Sequence, residues 1–229
     1  MSGFVFPPPP VTSLPVVGRA DRFPVHRIYC VGRNFAEHAR EMGAEVPRGR
    51  PVFFLKPADA ANTDAQVPYP GATADLHHEV ELVVALGRDA EGEVSTDAAL
   101  DLVFGYAVGL DLTRRDLQAE AKEKRLPWDI AKGFDHSAPM SPIVPCGASN
   151  TPPAGRLWIE VNGELRQQAV LSEMVFAVPE ILHELSRLFA LRAGDLVFMG
   201  TPAGVAALHR GDHFRAGVDG LAEFGGRIA

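Results

Sequence analysis

Glu79-Val80-Glu81-Leu82-Val83-Val84-Ala85-Leu86-Gly87 is the clearest strand of the chain. It is rich in β-branched and aliphatic residues and is stopped by glycine, the pattern of a buried strand. Side chains two apart on a strand share a face. Glu79 and Glu81 therefore point the same way, and Val83 and Ala85 continue that face inward. Two carboxylates side by side repel unless something neutralises them. On a face that runs into apolar residues, that is a shared proton or a bound cation; at a solvated strand end, water suffices.

Outward from this strand the pattern stays β-rich. Upstream, Arg27–Gly32 reads as a short buried strand, Asn34–Met42 as a helix, and Pro51–Leu55 as a second apolar run that ends at Lys56-Pro57. Downstream, a short helix is expected over Thr96–Leu102, a strand over Val103–Leu110 and a polar amphipathic helix over Thr113–Arg125, closed by Pro127. Asn162-Gly163 between Leu157–Val161 and Leu165–Ala169 is a strong hairpin signal. Pro179 and Glu180 suit the first turn of a helix whose apolar stripe is Ile181, Leu182, Leu185 and Leu188. A strand over Leu196–Met199 then leads into the glycine-flanked loop Gly200–Gly204. Strands outnumber helices and no βαβ alternation runs through the chain, so the fold class is α+β and β-rich. The proline-rich residues 1–24 read as an extended arm, and 25–229 as one catalytic domain.

Composition excludes several classes. The 229 residues carry 22 basic and 29 acidic side chains, a net charge of −7, which is no electrostatic footprint for nucleic acid. No apolar run approaches the ~20 residues a membrane helix needs, and Met1–Pro10 lacks the features of a secretory signal. Cys30 and Cys146 are too few for a disulfide framework and fit a cytoplasmic location.

Asp111 follows the strand Val103–Leu110, where side chains commonly project into an active site. With Glu79 and Glu81 it makes three oxygen donors on rigid elements, a set suited to a hard ion such as Mg²⁺ or Mn²⁺. His77 and His78 are adjacent and face opposite ways, so zinc fits less well. His38 and Glu41 are three apart, on one face of a helical turn. A carboxylate beside an imidazole fixes its tautomer and raises its basicity, as a water-activating base requires, although such a pair alone is usually surface decoration. Lys132 is placed to meet an anionic ligand. Gln118, Arg114 and Arg115 on the helix after Asp111 could hydrogen-bond a carboxylate, with at least one arginine left to solvent.

The strings IYCVGRNFAEHAREM (28–42), FFLKPADA, DLHHEVELVVALGRD, GYAVGLDLTRRDLQ, AKGFDHSAP, VNGELRQQ and GDLVFMGTPAGV resemble the fumarylacetoacetate hydrolase family, within it the short fumarylpyruvate and acylpyruvate hydrolases. The resemblance implies a mixed β-sandwich roll, a homodimer and one Mg²⁺ or Mn²⁺ per subunit. It places metal ligands on Glu79, Glu81 and Asp111, a catalytic dyad on His38 and Glu41, and substrate contacts on Gln118, Lys132 and Thr201, with Arg33 taken as a further contact. The implied activity is hydrolysis of a 2,4-dioxo acid, with oxaloacetate decarboxylation or isomerisation of a 2-oxo diacid as alternatives on the same site. A non-catalytic dimeric binding protein is the remote alternative.

Overall fold

The computed structural model describes residues 3–41, 43, 49–147 and 150–229. In chain order the principal strands are β1 (Ser13–Pro15), β2 (Arg22–Pro24), β3 (Ile28–Gly32), β4 (Val52–Lys56), β5 (Val80–Leu86), β6 (Val103–Leu110), β7 (Val144–Pro145), β8 (Arg156–Val161), β9 (Glu164–Val170), β10 (Leu196–Phe198), β11 (His213–Val218) and β12 (Ala222–Ile228). The helices are α1 (Ala36–Glu41), α2 (Arg115–Lys124), α3 (Asp129–Lys132) and α4 (Val178–Leu188). A six-stranded sheet runs β7-β6-β5-β10-β3-β4, antiparallel except for the β10–β3 pair. A five-stranded sheet runs β9-β8-β11-β12 and ends on Gln66–Val67. This is the β-rich α+β roll expected.

The alternation of β5 explains how the layers meet. Leu82 and Val84 face the main core, with Leu157, Ile159, Phe214 and Ala216 from the second sheet and Ile181, Leu182 and Leu185 from α4. Val83 and Ala85 face a second core with Ile28, Cys30, Leu196, Phe198 and Met140. All seven residues of β5 are buried, so the six-stranded sheet is covered on both faces. The β8–β9 hairpin turns at Asn162 and Gly163 with φ of 53° and 81°, the left-handed pair that a tight type I′ turn needs.

Two expectations are corrected. The arm ends earlier than residue 24. Residues 3–11 are exposed, but β1 and β2 pair antiparallel, and Leu14, Val16, Phe23 and Val25 are buried in the second core. Proline lacks a donor but keeps its carbonyl, and the Pro15 carbonyl accepts from the Ile143 amide at 3.0 Å. Of the helix expected over 96–102, only a 3₁₀ segment, Ala99–Leu102, forms. Its bonds run i to i+3, as in Asp101 N to Ala98 O at 3.1 Å, and such tight turns stay short. Met42 of the expected Asn34–Met42 helix lies outside the described residues. Both cysteines are free thiols, and no described helix is long and apolar enough to cross a membrane.

Candidate metal centre and active-site cleft

Antiparallel pairing brings the start of β5 beside the end of β6. Val80 lies opposite Leu110 and Glu81 opposite Gly109, and the Asp111 amide donates to the Glu79 carbonyl at 2.8 Å. Ligand atoms of Glu79, Glu81 and Asp111 consequently fall within 4.8 Å of one another, and all three residues are buried. The strand rule placed the first two carboxylates together, and the register adds the third.

Three buried or half-buried cations stand against this triad. Lys132 Nζ, at the end of α3, lies 2.8 Å from Glu79 Oε2 and 2.6 Å from Asp111 Oδ2. Arg115 Nη2, in the first turn of α2, lies 2.6 Å from Glu79 Oε1. Lys56 Nζ, at the end of β4, is 2.9 Å from Asp111 Oδ1. It also donates to the carbonyls of Leu112 and Lys132. Glu81 has no cationic partner among the described residues. It accepts from the Gly200 amide, 2.7 Å from Oε2.

This asymmetry sets the titration. Burial alone would raise the Glu79 carboxyl, but Lys132 and Arg115 outweigh it and hold Glu79 well below the usual carboxylate range. Burial lifts Glu81 well above that range, and the neighbouring Asp111 and Glu79 charges push the same way. Burial would lower Lys132, yet Asp111 and Glu79 keep it above its ordinary value. Asp111 Oδ1 meets Lys56 without the alignment of a hydrogen bond, leaving a buried lone pair uncommitted. An all-oxygen set with one uncompensated carboxylate and one free lone pair fits a hard divalent cation.

A stability effect follows. An acid whose folded value is raised binds its proton more tightly in the native state, so stability falls as pH rises from the ordinary carboxylate range to the raised value. At neutral pH in chelator, Glu81→Gln is expected to melt roughly 2–4 °C higher than wild type, the shift that ~1 kcal/mol produces in a chain of this size. Added Mn²⁺ should raise the wild-type melting temperature and leave that of the variant in place. A variant that melts lower than wild type in chelator would contradict the charge imbalance.

The His–Glu pair is held by the loop after β10. Asn34 anchors the entry to α1: its side chain donates to the Met199 and Phe176 carbonyls at 2.7 and 3.0 Å and accepts from the Phe176 amide at 2.8 Å. His38 is buried, with Nδ1 3.2 Å from Glu41 Oε2. The carboxylate only accepts, so it draws the proton to Nδ1 and leaves the Nε2 lone pair free. Glu41 in turn accepts from the Gly204 amide at 3.0 and 3.2 Å. Gly200 and Gly204 have φ of 94° and 96°, and a Cβ on Gly204 would come within 2.2 Å of the Arg166 carbonyl. Only glycine allows this loop to present one amide to Glu81 and another to Glu41.

Thr201 sits between those glycines. Its hydroxyl donates to the Val80 carbonyl at 2.9 Å and accepts from Gln167 Nε2 at 2.8 Å. Buried Gln167 also binds His78 Nδ1 at 2.8 Å, and burial lowers His78 to about 4, so it stays neutral at pH 7. His77 pairs with Asp75. Neither histidine joins the carboxylates. Gln118 is buried, and its Oε1 accepts from Arg115 at 2.7 Å, which leaves the amide protons for a ligand. Arg114 turns away and stacks 4.4 Å from the Phe134 ring. It is Arg115 that serves the site.

Arg33, His38, Glu79, Glu81, Asp111, Gln118, Lys132 and Thr201 all line one narrow cleft, with about 40 Å³ open to the centres of water-sized molecules. Glu41 stands behind His38. Sequence reasoning missed Lys56, the Glu79 partner role of Arg115, and Gln167. A lysine closing a buried strand at Phe54-Leu55-Lys56-Pro57 was the available signal for the first.

The roll of two large sheets thus carries a buried carboxylate triad able to hold a metal ion, with His38 in the same cleft and Glu41 behind it. Residues 27–229 match the family described as Fumarylacetoacetate (FAA) hydrolase C-terminal, and the chain belongs to that family. The solved structure of fumarylpyruvate hydrolase from Pseudomonas aeruginosa in complex with Mn²⁺ and pyruvate superposes with a TM-score of 0.95 at 43% identity, covering 99% of each chain. Oxaloacetate tautomerase FAHD1, mitochondrial, from Rattus norvegicus is 48% identical over 195 residues, 85% of this chain and 87% of that protein. The protein of the same name from Arabidopsis thaliana is 41% identical over 198 residues, 86% of this chain and 88% of that one.

Proposed function

We propose that the protein is a divalent-metal-dependent hydrolase that splits the C3–C4 bond of a 2,4-dioxo acid, with fumarylpyruvate giving fumarate and pyruvate. The observation that carries this reading is the placement of His38, backed by Glu41, in the same cleft as the buried triad of Glu79, Glu81 and Asp111. The similarity to a fumarylpyruvate hydrolase along the whole chain supports it.

Glu79, Glu81 and Asp111 would hold Mg²⁺ or Mn²⁺, one ion per subunit. When bound, the ion supplies a Lewis acid that stabilises the enolate charge developing on the pyruvate half. His38 Nε2 takes a proton from water, while Glu41 keeps the ring oriented and stabilises the imidazolium. The resulting hydroxide attacks C4. Two protons of the Lys132 ammonium face Glu79 and Asp111, so one remains for the oxyanion at C4, with the free amide protons of Gln118 beside it. The C3–C4 bond then breaks with its electron pair going to C3, and protonation of C3 completes pyruvate. Thr201 and Arg33 contact the substrate. The reading includes the homodimer that the family implies and a cytoplasmic location.

A second reading has a specific observation behind it. Relatives up to 48% identical are named oxaloacetate tautomerase, and moving a proton between C3 and an enol oxygen needs the same base and the same enolate stabilisation. Loss of the ultraviolet enol absorbance of fumarylpyruvate, followed with and without chelator and beside oxaloacetate, separates the two. Fast hydrolysis restored by Mg²⁺ or Mn²⁺ is the expected result. Action on oxaloacetate alone would move the protein to the tautomerases or decarboxylases.

A further inference from the structure

The cleft does not end at the triad. Arg33, Lys122 and Trp128 line both the narrow inner cleft and an outer basin of about 570 Å³, which adds Arg125 and Leu126. Among the described residues, three cations and no acid line this basin, on a protein whose net charge is −7. The inner cations are matched by contact: Lys132 with Glu79 and Asp111, Lys56 with Asp111, Arg115 with Glu79. Arg33, Lys122 and Arg125 have no acidic partner among the described residues.

Two further features fix this positive lip. Arg33 holds φ of 63°, a conformation uncommon for a residue with a Cβ, between β3 and the anchored Asn34. Its side chain lines the inner cleft and the outer basin alike. Lys122 places Nζ 5.5 Å from the centroid of the Trp128 ring, where the ring face attracts the ammonium. Partial desolvation and the charges of Arg115, Arg33 and Lys132 lower the Lys122 ammonium against the opposing pull of Glu79, so an added anion would relieve a net repulsion.

We infer that this lip is an anion subsite in which Lys122 and Arg33 bind a second carboxylate at the acyl end of the substrate, so that the site selects dicarboxylic 2,4-dioxo acids over those with a neutral acyl group. The inference rests on the hydrolase reading above and deepens it. The 1-carboxylate of the substrate is common to both kinds of acid and belongs beside the triad. The far carboxylate is the group that distinguishes them, and it meets the unpaired cations at the opening.

Two measurements test the subsite. The first compares kcat/KM for fumarylpyruvate with that for acetylpyruvate, a 2,4-dioxo acid with a neutral acyl group. Lys122→Met is expected to lower the ratio about tenfold, the low end for a lost hydrogen bond to a charged group, mostly through KM. Lys124→Met, on the same helix but paired with Glu120, should leave the ratio at its wild-type value. A ratio unchanged in Lys122→Met would overturn the subsite, because the cation would then serve only the shared carboxylate. The second needs no turnover: calorimetric titration of the Mn²⁺-loaded protein with fumarate and with crotonate, its monocarboxylate counterpart. Preference for fumarate that is lost in Lys122→Met supports the subsite even if neither dioxo acid is hydrolysed, a result that would end the hydrolase reading alone. Equal binding of the two acids by wild type would overturn the subsite.

Discussion

Asp111→Asn protein is expected to show no metal-stimulated turnover at any Mn²⁺ concentration, a loss of at least ~10³-fold if the bound ion contributes several kcal/mol to the barrier. The substitution keeps the shape of the side chain and removes its charge. Asp111 is fully buried and faces both Lys56 and Lys132. Removing one partner of a buried ion pair costs about 3–5 kcal/mol, so the variant should also melt roughly 10 °C lower. Calorimetric titration with Mn²⁺ should give no heat of binding. Wild-type Mn²⁺ affinity in this variant would remove Asp111 from the ligand set.

His38→Ala has the opposite profile. Hydrolysis of fumarylpyruvate should fall by about 10²–10⁴, the range for loss of a positioned general base, while Mn²⁺ still binds and still raises the melting temperature. His38 touches Glu41 and none of the three triad carboxylates by hydrogen bond. Comparison of the two variants therefore separates holding the ion from activating water. Turnover equal to wild type in His38→Ala would strike out the base assignment and leave the triad untouched.

The Glu79–Glu81 pair was legible because its information is local, and Asp111 because it ends a strand that the sequence itself marks. Two glutamates on a strand share a face by the geometry of the pleat, and Asp111 ends the strand that pairs with theirs. The i, i+3 spacing of His38 and Glu41 is local in the same way. What surrounds these groups is not. Lys56 reaches Asp111 across 55 positions of sequence, and Gln167 reaches Thr201 across 34. No periodicity announces such partners, since they depend on which strand ends the sheet brings together. The choice of Arg115 over Arg114 was equally hidden: neighbouring residues at the start of α2 point to different sides, and only the placement of Phe134 and Glu79 decides which stays. The N-terminal prolines misled for a different reason. They lack donors, but a strand at the edge of a small hairpin can work through its carbonyls.

The loop Gly200–Gly204 gives one amide to Glu81 and another to Glu41, through two residues that tolerate no side chain. Its lesson concerns ancestry and redesign. A drift in those five residues would disturb the ion cage and the proton acceptor in a single event, so inactivation through this segment comes as a cliff rather than a slope. Engineers seeking a new substrate would do better to vary the lip at Lys122, which bonds neither the ion cage nor the proton acceptor.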